Sequence, residues 1–491
     1  MVEITHAEQQ MNAGRANPFK RRGIRDLFLV FFGLILAVIA AFLISQGYWV
    51  IVLAAVAAVP MIVLLSAHPF SGVMIWLLVM PFVSVLPNSD MGYWVIYRIM
   101  PPLLLFLAII SRIFNVREHP AVRFGPPELT LGILILVVPG TILFAQANPG
   151  LALIRFGDRM VLPFIMYLTI RLAAPREKEL SQLKWVALLI AISQSIIGML
   201  SWIAPQVLPQ LWHYLQGERT TGSLRDPDLY AAVLVFSATI LVHTAVNVKS
   251  RIIRYFFFLA AGSCAIFAIL SLERAAWLGG IFVVLGLVFL YPKIMIRLII
   301  ISTIFMAFVG VEILATNSTT SLLSRFSESD PVYDRFVIFD AMAQMVELKP
   351  VFGWGYETLD QNIQQFYRRV GEASLSRIVT SHNTYMTILT ELGLVGFIFY
   401  LFPVAWWLVL SLRVWRRMPK NGLWSRALLA VFWLALLFQF IVSNFFDMRW
   451  FEIGLTLWWM TLGFIANMVY PYLKGRDSRA TVQADIGRYH G

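Results

Sequence analysis

The stretch TSHNTYMTILTELGLVGFIFYLF, residues 380–402, decides how this chain is interpreted. Most of it is apolar and long enough to cross about 30 Å of hydrocarbon, so it predicts a membrane-spanning helix. Two side chains interrupt the pattern. His382 stands at the start, and Glu391 follows about two and a half turns later, on a different face of the helix. We therefore do not pair the two, and the role of Glu391 stays open at this point.

Similar apolar segments recur along the whole chain. Hydrophobic residues make up 59% of the 491, and charged residues make up 13%, well below the roughly 25% of soluble domains. We predict an all-α polytopic membrane protein with about 12 to 14 transmembrane helices. The predicted parts are a cytoplasmic tail (1–26), transmembrane helices 1–11 (27–315), a large periplasmic loop with short helices (316–381), C-terminal transmembrane helices (382–470) and a second cytoplasmic tail (471–491).

The basic residues predict the orientation in the membrane. With a cytoplasmic N-terminus, the loops on that side hold 26 of the 39 Lys and Arg residues. The opposite face holds the other 13, all of them arginine except Lys349. This excess predicts cytoplasmic termini, and its position at the ends of spans argues against a nucleic-acid partner. The single cysteine, Cys264, leaves no disulfide framework or cysteine-based zinc site.

The long outer loop contains an amphipathic pattern of its own. In PVYDRFVIFDAMAQMVELKP, residues 331–350, the apolar side chains recur at helical spacing. The pattern predicts a helix with one apolar face, formed by Val332, Phe336, Phe339, Ala343 and Val346. Such a helix can lie on the bilayer, cover a cavity between spans, or pack outside the membrane with no direct role.

Three outer sites place arginine or histidine at the start of an inward-running helix. They are ERTTGSLRDPDLYAAVLVF (218–236), AILSLERAAWLGGIFVV (268–284) and the stretch around His382. The planar guanidinium of arginine binds phosphate or carboxylate in a bidentate fashion. Helix N-termini add free N–H groups and the positive end of the helix dipole. If the three sites pack together, they form an anion-binding site.

Each of these residues has a structural alternative. Asp226 and Asp228 either begin a helix by capping it or form a metal-binding Asp-x-Asp pair. Arg274 either pairs locally with Glu273 and anchors the helix, or faces a polar cavity. His382 either caps its helix at the interface or, held neutral by nearby positive charge, takes a proton from a hydroxyl group.

The order of four motifs resembles that of the O-antigen ligase and polymerase superfamily (WaaL-type and Wzy-type proteins). The motifs are an R-x-x-G-x-x-x-x-P-N-like loop from Arg219, an S-x-x-R-like turn ending at Arg274, a P-x-x-G-x-G element from Pro350 to Gly355, and an H-N-x-Y-x-x-x-L-x-E-x-G-x-x-G helix from His382 to Gly396. The chain departs from the pattern at Asp228, where asparagine is usual, and at Glu273, where a small residue is usual.

The resemblance implies a GT-C-like membrane glycosyltransferase without a cofactor or metal. It implies transfer of a glycan, with inversion, from undecaprenyl pyrophosphate to a hydroxyl of another glycan or of lipid A–core, at the periplasmic face of the bacterial inner membrane. Membrane lipids and polysaccharide-assembly proteins are the further partners expected. The hypothesis for the site makes His382, Arg274 and Arg219 catalytic, and assigns pyrophosphate binding to Arg219, Arg225, Arg274 and Arg335.

Two other classes of protein fit part of the pattern. An arginine-rich cavity would also suit a transporter of a small anion such as bicarbonate, although a carrier needs a path open to both faces. A scaffold of a polysaccharide-export complex is the third reading, but it gives the arginines and His382 no purpose. Between ligase and polymerase, the length of the chain and the lack of an acceptor-specific motif favour a polymerase.

Overall fold

The structure is a computed structural model that describes residues 64–86, 89–116, 122–146, 148–209, 212, 215–216, 219–315, 330–368 and 381–473. Residues 1–63, which include the first predicted tail, most of the second predicted tail (474–491) and two parts of the long loop (316–329 and 369–380) lie outside the described residues.

The first half of the described chain consists of helices and one short hairpin. The helices are α1 (Pro69–Val79), α2 (Ser89–Ile113), α3 (Pro126–Ala145), α4 (Pro149–Phe156), α5 (Leu162–Ala173) and α6 (Glu177–Ile203). The antiparallel hairpin pairs β1 (Leu215–Gln216) with β2 (Arg219–Thr220). Helices α1, α3 and α4 carry proline in their first turn, where its missing N–H costs no hydrogen bond.

The second half is also helical. It contains α7 (Pro227–Asn247), α8 (Arg251–Leu270), α9 (Arg274–Leu290), α10 (Pro292–Ala315), α11 (Asp330–Leu348), α12 (Leu359–Asn362), α13 (Thr384–Val414), α14 (Arg426–Val442) and α15 (Glu452–Val469). A 3₁₀ turn, Ile363–Phe366, follows α12, and another, Met448–Trp450, precedes α15.

Seven of the described helices are long and apolar enough to cross a membrane: α2, α3, α6, α7, α8, α13 and α15. Three shorter apolar helical segments accompany them, at Pro69–Val85, Arg274–Leu290 and Arg426–Val442. The outward faces expose large apolar side chains, such as Phe144 and Phe289, which suits contact with lipid. The prediction of an all-α polytopic membrane protein is confirmed, while the total of 12 to 14 spans stays a prediction.

Two helices form the centre of the bundle. Helix α7 is almost completely buried among α6, α8, α9 and α14, and α15 is almost completely buried among α5, α13 and α14. Their N-terminal ends follow the loops that carry Asp226 and Arg449, respectively. The most deeply buried helices of the bundle therefore begin directly after these two loops.

Helix α13 is broken at Gly393, whose φ of 64° and ψ of −170° are not helical. The 31 residues of α13 would measure about 46 Å as one straight helix, well over the thickness of the hydrocarbon layer. The part after the break, residues 394–414, is about 31 Å long and is sufficient to span the membrane. The part before the break belongs with the loop that precedes it.

That loop forms a small unit, residues 330–368, which we call the loop domain. It has its own apolar core, separate from that of the bundle, made by α11, α12 and the 3₁₀ turn that follows, namely Ile338, Ala341, Met342, Met345, Leu359 and Ile363. The predicted helix is present, and its buried face differs from the apolar face that the sequence indicated; the side chain of Val332, a member of that apolar face, lies outside the described residues. Phe336 is 54% exposed and Ala343 is exposed as well, because α11 turns its methionine face towards α12 and α13.

Candidate active site

His382 adopts an unusual backbone conformation. Its φ of 48° lies in the left-handed region, which costs energy for a residue with a side chain and persists only when its surroundings fix it. On one side, Ser381 Oγ donates to Asp447 Oδ2 at 3.0 Å. On the other side, Asn383 Oδ1 accepts from the Met386 N–H at 2.9 Å and caps α13. The capping role that the sequence left open for His382 therefore belongs to Asn383.

The imidazole of His382 is half-buried and faces two charges of opposite sign. Burial lowers the pKa of His382, and the positive charge of Arg335 lowers it further, while Asp447 opposes both effects. The pKa therefore lies below the ordinary value of 6.5, as the sequence hypothesis expects, and the ring is neutral at pH 7. Within the described part of the chain, no hydrogen bond is made by this ring. The ring is thus a neutral group that can accept a proton from a ligand.

A cluster of charged side chains is linked to His382 through Arg335. We call it the charged cluster and define it as Arg219, Asp228, Glu273, Arg274 and Arg335. Arg219 Nη1 donates to Glu273 Oε1 at 2.6 Å. Arg335 interacts electrostatically with Asp228, Glu273 and Arg274 as well as with His382. Three of the four predicted arginines and the predicted histidine are therefore brought together from β2, α9, α11 and the start of α13.

The charged cluster also contains carboxyl groups, which makes it less cationic than the sequence suggested. Burial raises the pKa of Glu273 to about 7, against the opposing effects of Arg335, Asp228 and Arg274. Glu273 therefore exchanges its proton near neutral pH. Because Glu273 binds Arg219, the interaction between these two side chains depends on that proton.

Of the two aspartates at the start of α7, Asp226 caps the helix and Asp228 lies in its first turn. Asp226 Oδ1 accepts from the Leu229 N–H at 2.8 Å, so Asp226 is the N-cap of α7. Burial raises the pKa of Asp226 to about 7. No group of three His, Cys, Asp or Glu side chains among the described residues is arranged to hold a metal ion. Arg225 precedes this cap in a left-handed conformation, with φ of 61°, and its part in binding stays a prediction.

The P-x-x-G-x-G element packs into the break in α13. Backbone hydrogen bonds join the two segments on both sides of Gly393: Trp354 N to Thr390 O (3.0 Å), Gly355 N to Glu391 O (2.8 Å), Leu394 N to Pro350 O (2.8 Å) and Val395 N to Val351 O (3.2 Å). They satisfy the carbonyl and N–H groups that the break leaves without helical partners. A Cβ at Gly393 would lie 2.3 Å from Val351 O, so only glycine fits there.

Behind His382 lies an ion-pair network that the sequence analysis missed. Arg449 Nη1 donates to Glu391 Oε2 at 2.7 Å, and Arg449 Nη2 donates to Asp447 Oδ2 at 2.9 Å. All three side chains are buried. Arg449 is one of the outward arginines, which was the available signal, but it lies in a loop rather than at a helix start. Glu391 thus pairs with Arg449 and not with His382, as its place on the helix predicted.

A second missed network joins two π-helical turns. The first turn, Trp94–Ile99, places Arg98 against Asp158 of the second, Gly157–Val161, through two hydrogen bonds of 2.8 and 2.5 Å. Arg159 of the second turn and Arg155 of α4 both donate to Glu357 in the loop domain. Turns of this type often mark functional sites, and here they tie the bundle to the loop domain.

One comparison with known families found a match. Residues 256–401 match a family model described as O-antigen ligase. This segment is therefore similar to O-antigen ligases, and we call it the ligase-like segment. It begins within α8, contains Glu273, Arg274 and Arg335, and includes His382 and Glu391 near its end. The match supports the O-antigen ligase/polymerase superfamily and gives no support to an anion transporter.

The ligase-like segment does not cover the whole site. Arg219 precedes the matched residues, whereas Asp447 and Arg449 follow them. No curated protein matches the chain. Together with the seven apolar helices, the match indicates a multi-pass bacterial membrane protein with glycosyltransferase-like activity.

Proposed function

We propose that this O-antigen ligase-type protein is an inverting, metal-independent glycosyltransferase that moves a glycan from undecaprenyl pyrophosphate to an acceptor hydroxyl group. One observation carries the proposal: Arg335, a member of the charged cluster, interacts electrostatically with His382 as well as with Asp228, Glu273 and Arg274. A neutral base and several guanidinium groups are therefore available to one ligand, as transfer from a pyrophosphate carrier requires.

The reaction divides between these groups. His382 takes the proton of the acceptor hydroxyl, whose oxygen attacks the anomeric carbon of the donor. A C–O bond forms on one side of that carbon while the bond to the pyrophosphate oxygen breaks on the other, so the configuration inverts. The lipid pyrophosphate leaves with the electron pair of the broken bond. Arg219, Arg274 and Arg335 stabilise its growing negative charge, with Arg225 as a further predicted contact.

Glu273 has a defined part in donor binding under this proposal. Before the donor arrives, Glu273 neutralises Arg219 through the hydrogen bond of 2.6 Å. The pyrophosphate replaces this carboxylate on Arg219, and a proton taken up by Glu273 removes the repulsion between the two anions. Glu273 thereby keeps Arg219 paired until the donor binds.

The orientation follows from the distribution of arginine and lysine. The loops that carry the site belong to the face that is poor in lysine, which the positive-inside rule places outside the cytoplasm. We therefore assign the site to the periplasmic face of the inner membrane and both termini to the cytoplasm. The acceptor is a second lipid-linked glycan or lipid A–core, and polysaccharide-assembly proteins are proposed neighbours.

Transfer from a lipid-linked glycan by the purified protein in liposomes tests the proposal. We expect wild-type protein to release undecaprenyl pyrophosphate and to form an elongated or ligated glycan, with EDTA having no effect. Arg274→Ala should reduce turnover about 10²-fold to 10³-fold. The matched control is Arg297→Ala, an exposed arginine in α10 outside the site, which should keep wild-type turnover. Wild-type turnover in both Arg274→Ala and His382→Ala would rule the mechanism out.

A further inference from the structure

The loop between α14 and α15, residues 443–451, holds the chain on both sides of His382. Its contacts are made by backbone and side-chain atoms and involve the residues next to His382: Thr384 N to Ser443 O (2.9 Å), Asn383 Nδ2 to Asn444 O (3.0 Å), Thr384 Oγ1 to Phe446 O (3.2 Å), Met448 N to Thr384 Oγ1 (2.9 Å) and Ser381 Oγ to Asp447 Oδ2 (3.0 Å). The left-handed conformation of His382 is therefore fixed by a loop outside the ligase-like segment.

Asp447 is the charged member of this loop that faces His382. Its carboxylate accepts from Arg449 Nε at 3.1 Å and from Arg449 Nη2 at 2.9 Å, in addition to Ser381 Oγ. Burial alone would raise the pKa of Asp447, but Arg449 and Ser381 hold it below its ordinary value. Asp447 is thus an ionised, buried carboxylate whose position is fixed from behind.

The anchor of Asp447 reaches into α13 itself. Arg449 also donates to Glu391, and Thr387 Oγ1 donates to Ser381 Oγ at 2.6 Å. Glu391 and Thr387 both lie in the part of α13 before the break. The two ends of this short helical segment are therefore tied to the same carboxylate–guanidinium pair, so that the segment and the loop form one rigid support.

We infer that Asp447 is a positioning residue for His382, which orients the imidazole through Ser381 and stabilises the positive charge that the ring gains when it takes the acceptor proton. This inference rests on the proposed function. The charged groups that face His382 are Arg335 from α11 and Asp447 from the loop between α14 and α15, with Arg449 and Glu391 behind Asp447. Asp447 is the one that favours a protonated ring.

Two variants separate the charge of Asp447 from its hydrogen bond. Asp447→Asn removes the charge, and we expect kcat to fall about 10²-fold while the KM for the donor stays within about twofold. Loss of the negative charge lowers the pKa of His382, so the acid limb of the pH–rate profile should move to lower pH. Ser381→Ala keeps the charge of Asp447 but removes its hydrogen bond to Ser381, together with the hydrogen bond that Thr387 donates to Ser381. We expect kcat to fall about tenfold while the acid limb keeps its position.

The matched control is Asp90→Asn, an exposed carboxylate in the first turn of α2. It should change neither kcat nor the pH–rate profile. Size-exclusion chromatography and thermal unfolding establish that each variant is folded. If Asp447→Asn yields no folded protein, Ser381→Ala decides, and wild-type kcat in that variant overturns the inference.

The remaining outcomes distinguish this inference from the proposed function. An inactive His382→Ala together with an unaffected Asp447→Asn overturns the positioning role alone. A folded Asp447→Asn that loses activity without any shift of the acid limb also overturns it, because a purely structural residue would behave in that way. Wild-type turnover in His382→Ala overturns the proposed function itself.

Discussion

Two histidines, His243 and His382, show how differently the two ends of the bundle use the same side chain. His243, near the C-terminal end of α7, is fully buried with both ring nitrogens satisfied. Its Nε2 donates to the Leu423 carbonyl at 3.0 Å, and its Nδ1 accepts from the Tyr291 hydroxyl at 2.5 Å. His382 has a half-buried ring, and the described residues make no hydrogen bond to it.

The arginines repeat this contrast. Arg171, at the C-terminal end of α5, is fully buried, and it donates to Glu128 Oε1 and Asn467 Oδ1, each at 3.1 Å. Arg219 instead meets the carboxyl group of Glu273, whose pKa burial raises to about 7. A network with fixed partners stabilises the fold, whereas one whose partner titrates near neutrality can exchange that partner for a ligand. A ligand could therefore replace the partner of Arg219, whereas the partners of Arg171 are fixed.

The largest effect should come from His382→Ala. Because general base catalysis contributes about 10²-fold to 10⁴-fold, we expect turnover to fall by that factor at an unchanged thermal unfolding temperature. His243→Ala should do the opposite and lower the free energy of unfolding by about 1–3 kcal/mol, since Tyr291 and Leu423 lose a buried partner. Turnover per folded molecule and thermal unfolding measure both. Equal losses of activity in the two variants would remove the distinction between the two ends.

Arg171→Ala sharpens the comparison at the structural end. Removing one partner of a buried ion pair leaves Glu128 uncompensated, so we expect a loss of about 3–5 kcal/mol in the free energy of unfolding. The folded fraction should keep wild-type turnover. Arg274→Ala is the counterpart, with turnover lost and stability kept. An Arg171→Ala protein that unfolds like the wild type would show that the fixed network contributes little.

Gly393→Ala tests the support of the site rather than its chemistry. The backbone angles of Gly393 are accessible almost only to glycine, so alanine costs about 1–3 kcal/mol, in addition to its contact with Val351 O. We expect lower stability and lower turnover together, because the part of α13 between His382 and the break shifts. Gly262→Ala is the control, since a Cβ there meets nothing within 4 Å. Equal free energies of unfolding for Gly393→Ala and Gly262→Ala would show that alanine fits at the break in α13 without strain.

The smallest effect expected is a shift in the pH dependence of Arg335→Gln, which accompanies a loss of turnover because Arg335 also stabilises the leaving pyrophosphate. Arg335 lowers the pKa of His382, so its removal raises that pKa. A base must be deprotonated to act. As the pH falls, the variant should therefore lose activity at a higher pH than the wild type does, so the acid limb of the pH–rate profile moves to higher pH. The pH–rate profile measures the shift, and Arg368→Gln, an exposed arginine of the loop domain, should leave it unchanged. A shift towards lower pH would contradict the placement of Arg335 beside His382.

Much of the fold follows from local sequence. Helix starts at Asp226 and Asn383, and spans such as α7 and α8, depend on caps, prolines and runs of apolar residues that any window of the sequence displays. The buried face of α11 does not, because both of its faces carry apolar residues and the neighbours that choose between them are distant in sequence. Tertiary contacts, rather than periodicity, decided which face became buried.

The site divides along the same line. Sequence alone could propose Arg219, Arg274 and His382 as site residues. Each lies at or just before the start of an element and belongs to a motif. Sequence alone could not propose Asp447 and Arg449, because both lie in a loop. Glu391, the partner of Arg449, is 58 residues away in the chain. A carboxylate that supports a histidine from another loop leaves no periodic signal. Only the folded chain brings the two together.

Chemical rescue of His382→Ala shows whether the imidazole of His382 removes the acceptor proton during transfer from the lipid pyrophosphate. The measurement is the single-turnover rate of His382→Ala with saturating donor, with and without added imidazole, beside Arg274→Ala. We expect a slow reaction that imidazole accelerates in His382→Ala and not in Arg274→Ala. A wild-type rate in His382→Ala without imidazole would contradict it.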